Sequence, residues 1–104
     1  MLYRLEYLPV ARKDMLDIVK YISGELSNPD AAGRLADMLI EKVEAFREMP
    51  YINPAYTPIR SLKHEYRKAI LKKYLIFYWV DEEKHLITVA RIIYSGRDYE
   101  QELT

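Results

Sequence analysis

Residues 65–99 constrain the fold most. They read EYRKAILKKYLIFYWVDEEKHLITVARIIYSGRDY and hold three apolar runs, over 66–71, 74–80 and 86–94. Only Lys72-Lys73 and residues 81–85 separate them. The runs are rich in Ile, Val, Tyr, Phe and Trp, the types that suit a pleated surface. A parallel pair needs a crossover of about a dozen residues, so breaks this short admit only antiparallel hairpins. The expected unit is a three-stranded antiparallel meander. Its middle run is apolar on both faces, with Leu75, Phe77 and Trp79 on one and Tyr74, Ile76, Tyr78 and Val80 on the other. A strand buried on both sides reads this way.

Upstream, residues 2–8 (LYRLEYL) alternate, with Tyr3, Leu5 and Tyr7 sharing one face of a half-buried strand. Pro9 suits the first turn of a helix. Met15, Ile18, Val19, Ile22 and Leu26 then recur at spacings of three and four, which predicts one apolar stripe on a helix over 9–26. Ser23-Gly24 should fray its end. Asn28 can cap a second helix and Pro29 can start it. Ala32, Leu35, Leu39, Val43 and Phe46 form its apolar face, to about residue 48. The short connection makes the two helices an antiparallel hairpin. Pro50, Pro54 and Pro58 break any helical pattern, and Tyr51, Ile52, Tyr56 and Ile59 suggest an ordered loop that packs on the domain.

The predicted architecture is α+β, in the order β-α-α-β-β-β. One domain over 1–104 packs an N-terminal helical hairpin on a twisted antiparallel sheet, which the first strand joins. The hairpin can cover only one sheet face. The proline loop and the C-terminal tail cover the other, or a protein partner does.

With 104 residues the chain makes one domain, and without cysteine it makes neither disulfides nor thiolate metal sites. The first residues lack the apolar core of a signal peptide, and no apolar run approaches the ~20 residues of a membrane helix. A soluble, cytoplasmic protein without membrane association is expected. Sixteen Lys and Arg balance sixteen Asp and Glu, which argues against bulk electrostatic binding to nucleic acid. Positive charge is nevertheless concentrated in Arg60, Lys63, Arg67, Lys68, Lys72 and Lys73, with His64 among them and Glu65 the one acid. Such a stretch is either a solvated edge strand guarded by lysines or a binding surface. No Gly-rich phosphate loop, no zinc-ligand spacing and no nucleophile elbow appears.

The segments YLPVARKDMLDIVKYI, HEYRKAILKKYLIFYWVDEE and VARIIYSGRDYEQEL resemble, in this order, the RelE/ParE toxin superfamily of bacterial type II toxin–antitoxin systems. The resemblance covers almost the whole chain. It implies a toxin that arrests growth when free of its antitoxin, in the manner of plasmid-stabilisation systems. The implied partner is a cognate antitoxin, in a toxin–antitoxin hetero-oligomer or beside a homodimer. ParE-like members poison DNA gyrase. RelE-like members enter the ribosome and cut messenger RNA without metal, so neither branch implies a cofactor. A ribonuclease needs a base for the 2′-hydroxyl proton, cations for the phosphorane and an acid for the leaving oxygen. The resemblance places Arg67, Lys68, Arg97 and Tyr99 in those roles. Leu75, however, stands where RelE-like enzymes put a catalytic Arg, and this favours the ParE-like branch. Arg60, Lys63, His64, Lys72, Lys73 and Arg97 are the candidates for contact with target or antitoxin. An inactive homologue or a small adaptor domain is the remaining alternative.

Each candidate has a plainer reading. Arg67 and Lys68 are adjacent in a strand, so they face opposite sides of the sheet and cannot both line one site. Arg67 can pair with Asp98 or Glu65 instead of a substrate. Arg91, amid apolar residues, reads as a paired or snorkelling arginine. His64 reads as a surface histidine.

Overall fold

In a computed structural model the structure describes residues 2–56, 64–96 and Leu103. The elements are β1 (Arg4–Tyr7), α1 (Pro9–Lys20), α2 (Pro29–Glu44), β2 (Arg67–Leu71), β3 (Tyr74–Asp81) and β4 (Leu86–Tyr94). The strands form one sheet in the order β1-β4-β3-β2. The meander is as expected: β2 pairs antiparallel with β3, and β3 with β4. The first strand does join it, but parallel to β4, with Arg4 opposite Leu86 and Tyr7 opposite Val89. The sheet is therefore mixed. Both helices and two strands lie between β1 and β4, a connection long enough for a parallel pair.

α1 begins as predicted at Pro9, with Met15, Ile18 and Ile22 packed on the core. Its end does not fray. It widens into a π turn, Tyr21–Glu25, in which Leu26 N–H donates to Tyr21 O at 3.2 Å. The extra residue in this turn rotates the next positions by about 100° around the helix axis. Leu26 therefore leaves the apolar stripe and is 56% exposed. Ser27, at φ 49°, reverses the chain. The Asn28 side chain then accepts from Ala31 N–H at 3.1 Å, and Pro29 takes the first turn of α2. Ala32, Leu35, Leu39, Val43 and Phe46 are all buried, Phe46 on a single 3-10 turn, Ala45–Arg47, beyond α2.

The two faces of β3 serve two cores. Ile76 and Tyr78 face the helices and join Ala11, Leu35, Leu39, Val43, Phe46, Val89 and Ile92. Tyr78 stacks on Phe46 at 4.2 Å between centroids, and its hydroxyl donates to Pro50 O at 2.9 Å while accepting from Asn53. A buried tyrosine is thus fully satisfied by the proline loop. Leu75 and Phe77 face away from the helices and join Tyr66, Ala90, Ile93 and Leu103, with Leu8, Tyr56 and Trp79 packed against them. Tyr56 from the proline loop and Leu103 from the tail thus close the face that the helices leave open. Each large apolar side chain so buried contributes roughly 1.5–3 kcal/mol.

Asp14 and Arg91 tie the layers together. Arg91 Nε and Nη2 donate to the Asp14 carboxylate at 2.7 and 2.9 Å, and Ile92 N–H donates to it at 3.0 Å. Arg91 is the paired arginine anticipated from its apolar surroundings. Among the described residues no helix is long and apolar enough to cross a membrane.

Candidate functional site

The basic segment folds into β2 and the turn after it. Ala69 packs on the helix-side core, so Arg67 and Leu71 share that face while Lys68 and Ile70 take the other. Arg67 and Lys68 are separated as their adjacency requires. Arg67 is engaged by the proline loop. Its Nη1 donates to Asn53 O at 2.7 Å, its guanidinium lies 4.7 Å from the centroid of the Tyr51 ring, and Glu65 is 3.7 Å away. It clasps residues 51–53 to the sheet. An isolated bridge from Ala55 to Arg67 and a bond from Tyr56 N–H to Tyr66 O at 2.7 Å extend that attachment along the start of β2.

Lys68 lies on the face away from the helices, with its ammonium 5.4 Å from the centroid of the Tyr56 ring. Beside it runs an aromatic series. His64 stacks on Trp79 at 3.7 Å with the planes 5° apart, and Tyr66 meets Trp79 edge-on at 5.7 Å. His64 is therefore half-buried against an indole rather than extended into solvent. Leu75 is 5% exposed and sealed in the second core.

Lys72 and Lys73 form the exposed turn between β2 and β3, with Lys72 at φ 53°. Lys73 O accepts from Ser95 N–H at 2.8 Å, which fixes this turn beside the end of β4. Arg60, Lys63, Arg97 and Tyr99 lie outside the described residues, as does Asp98. Of the sequence candidates, the structure thus brings Lys68 and His64 to the sheet face away from the helices. It sets Lys72 and Lys73 at the turn and holds Arg67 on the opposite face.

Neither Arg34 nor a cluster at the far end of β3 stands out in the sequence. Arg34 sits on α2 across a cleft from Lys72 and Lys73. At the other end of the sheet, Tyr3 donates to Glu82 Oε1 at 2.6 Å and Tyr51 donates to Glu82 Oε2. The Glu82 carboxylate is held below its ordinary pKa by these two phenols, Tyr3 first. Tyr51, bonded to that anion, is pushed up to about 12. The edge of the Tyr3 ring lies against His85, 3.9 Å between centroids. These contacts join residues far apart in sequence, and no local pattern marks them. Among the described residues no group of three or more His, Asp or Glu is placed to hold a metal ion.

Two helices on a four-stranded mixed sheet are the fold this chain shares with solved RelE and ParE toxin structures. The model of the ParE toxin of the type II toxin–antitoxin system parDE matches residues 5–99. The chain belongs to this ParE toxin family. Solved structures agree in fold. A chain of the chromosomal ParDE system of P. aeruginosa superposes with a TM-score of 0.72 at 16% identity, covering 89% of this chain and 96% of that one. A mutant of E. coli toxin RelE in the free state gives 0.67 at 18% identity, with 99% and 94% covered. A chain of the toxin–antitoxin complex RelBE2 from Mycobacterium tuberculosis gives 0.65 at 16% identity, with 90% and 99% covered. No curated protein matches the chain.

Proposed function

We propose that this protein arrests bacterial growth as the toxin of a type II pair, is restrained by a cognate antitoxin, and acts on DNA gyrase rather than on messenger RNA. Leu75 carries the choice of target. A metal-independent ribonuclease must neutralise a phosphorane, which needs converging cations. The resemblance sets Leu75 where RelE-like enzymes put an Arg, and Leu75 is buried in one core with Tyr66 and Leu103. Arg67, a further candidate for that role, is committed to Asn53 O and the Tyr51 ring on the other face. On this reading the protein is a binding inhibitor, not an enzyme, and works in the cytoplasm where gyrase is found. An antitoxin partner is supported by the similar solved structures, among which are toxin–antitoxin complexes from E. coli and M. tuberculosis.

The aromatic series beside Lys68 favours the second reading, ribosome-dependent cleavage, because bases stack on such rings. Primer extension on messenger RNA with ribosomes, beside a gyrase supercoiling assay, separates the two. Inhibited supercoiling without transcript cleavage is expected. Cuts within the A-site codon would overturn the assignment to gyrase. In a growth-arrest assay Arg97→Ala should abolish toxicity while leaving the melting temperature nearly unchanged, since a planar five-donor fork suits a phosphate or carboxylate on the target; a stable variant that still arrests growth would remove Arg97 from the site.

A further inference from the structure

The outer surface of the helical hairpin, turned away from the sheet, is divided lengthwise by charge. On α1 the exposed charges are Arg12, Lys13, Asp17 and Lys20, and Lys13 answers Asp17 at 2.8 Å, so this ridge is basic. On α2 the exposed residues Asp30, Asp37, Glu41 and Glu44 recur at spacings of seven, four and three and make one acidic ridge. Between the ridges lies an apolar groove of about 460 Å³, lined by Tyr7, Met15, Leu16 and Ile40 with Arg12 and Glu44 beside them. Leu16 and Ile40 are 58% and 48% exposed. Arg12, Lys20, Asp37 and Glu41 form no ion pair among the described residues. Gly33, also exposed on α2, has nothing within 4 Å of where a Cβ would stand. A helical glycine costs about 1 kcal/mol against alanine, and nothing within this chain repays it; a second helix lying close would.

Such a face is complementary to itself. Arg12 and Leu16 line the groove opposite Glu44 and Ile40. The helices run antiparallel, so an equal rise along each sets Arg12 level with Glu44, Leu16 with Ile40 and Lys20 with Asp37. A two-fold axis along the groove carries α1 of one copy over α2 of another and keeps these levels. We propose that a second copy of this chain docks here, hairpin on hairpin, with Arg12 on Glu44, Leu16 on Ile40 and Lys20 on Asp37 of the other copy, each contact made twice. The product is a four-helix layer with a sheet on either side. A two-fold axis across the helices would instead set base on base and acid on acid, so charge selects the first arrangement. The helices are about 18 and 24 Å long and pack roughly 10 Å apart, so the face is small and the dimer weak. The contact rests on the hairpin alone and is independent of the choice of target.

Sedimentation of the full-length protein between about 5 µM and about 1 mM tests this. A monomer–dimer equilibrium that weakens as salt rises is expected. Two charge variants, each checked for folding by circular dichroism, then probe the pairing. Arg12→Glu/Lys20→Glu turns the basic ridge acidic, and Asp37→Lys/Glu44→Lys turns the acidic ridge basic. Each alone should associate about tenfold or more weakly than the wild type, and an equimolar mixture should recover the dimer, because every ridge then faces its opposite. Glu44 also holds Arg47 at 2.6 Å, so Leu16→Asp, at an exposed position, tests the groove without touching that pair. It should weaken association by a similar factor. A wild type monomeric to about 1 mM would leave the groove to some other partner and overturn the proposal. Association within about twofold of wild type in Leu16→Asp or in a folded charge variant would overturn it too, as would a mixture no better than its components.

Discussion

Replacing Asp14 by alanine should be among the most damaging single changes in the helix layer. Its carboxylate accepts three N–H donors, two from Arg91 and one from the Ile92 backbone. The side chains of Arg91 and Asp14 are 14% and 11% exposed, so water screens them weakly. Taking one partner from a buried ion pair costs about 3–5 kcal/mol, because the remaining charge keeps its desolvation and loses its attraction. The residual exposure puts Asp14→Ala near the lower end, at about 3 kcal/mol. In a domain of this size that lowers the melting temperature by roughly 12–15 °C. Urea unfolding followed by circular dichroism reads the loss as a shift in midpoint at constant slope. Replacing both Asp14 and Arg91 by leucine removes both desolvation penalties and should recover part of the loss, the Ile92 N–H remaining without its acceptor in both variants. A loss under about 1 kcal/mol for Asp14→Ala, as for an exposed pair, would refute the reasoning. So would a double variant no more stable than the single one.

Local geometry sets two further outcomes. Glu82 holds Tyr51 in its neutral form, so its folded pKa lies above the ordinary 10.0, at about 12. That contribution to stability is complete below pH 10 and is lost as pH rises through 12. Glu82 runs the other way, its contribution present above its ordinary 4.5 and lost as pH falls below it. In a tyrosinate absorbance titration Tyr51→Phe should remove the latest step and Glu82→Gln should move that step back towards 10. An unmoved late step in both variants would show that the bond is not made. At the start of α2, Asn28→Ala should cost about 1 kcal/mol by urea unfolding and Asn28→Asp close to nothing, because either Asn or Asp can accept from Ala31 N–H. Equal losses in the two would mean that the side chain caps nothing.

What was legible in the chain was whatever repeats at short range. The two-residue break at Lys72-Lys73 dictated the hairpin, and the spacing of Ala32, Leu35, Leu39 and Val43 placed the buried face of α2. The direction of β1 was not legible, because alternation is the same in parallel and antiparallel strands. Nor was the π turn, since Ile22 and Leu26 keep helical spacing in the sequence while one added residue turns Leu26 out. The second core needed Leu103, which belongs to no periodic run. The candidate site was half visible. Adjacency alone put Arg67 and Lys68 on opposite faces. The carbonyl of Asn53, which engages Arg67, carries no side-chain signal, and Arg34 looked like any exposed helical arginine.

The parallel placement of β1 has a bearing on how the protein is born. β4 is made last among the strands, yet it lies between β1 and β3. While the chain is still emerging from the ribosome, β1 has no neighbour, and neither Asp14 nor Glu6 has the partner, Arg91 or Thr88, that it will hold. Until then the helical hairpin can pack on β2 and β3, Phe46 against Tyr78, but lacks its contacts with β4. Contacts across some 80 residues are slow to close. A newborn chain therefore spends most of its synthesis with the sheet unfinished: β4 is complete only after residue 94, and the second core only after Leu103.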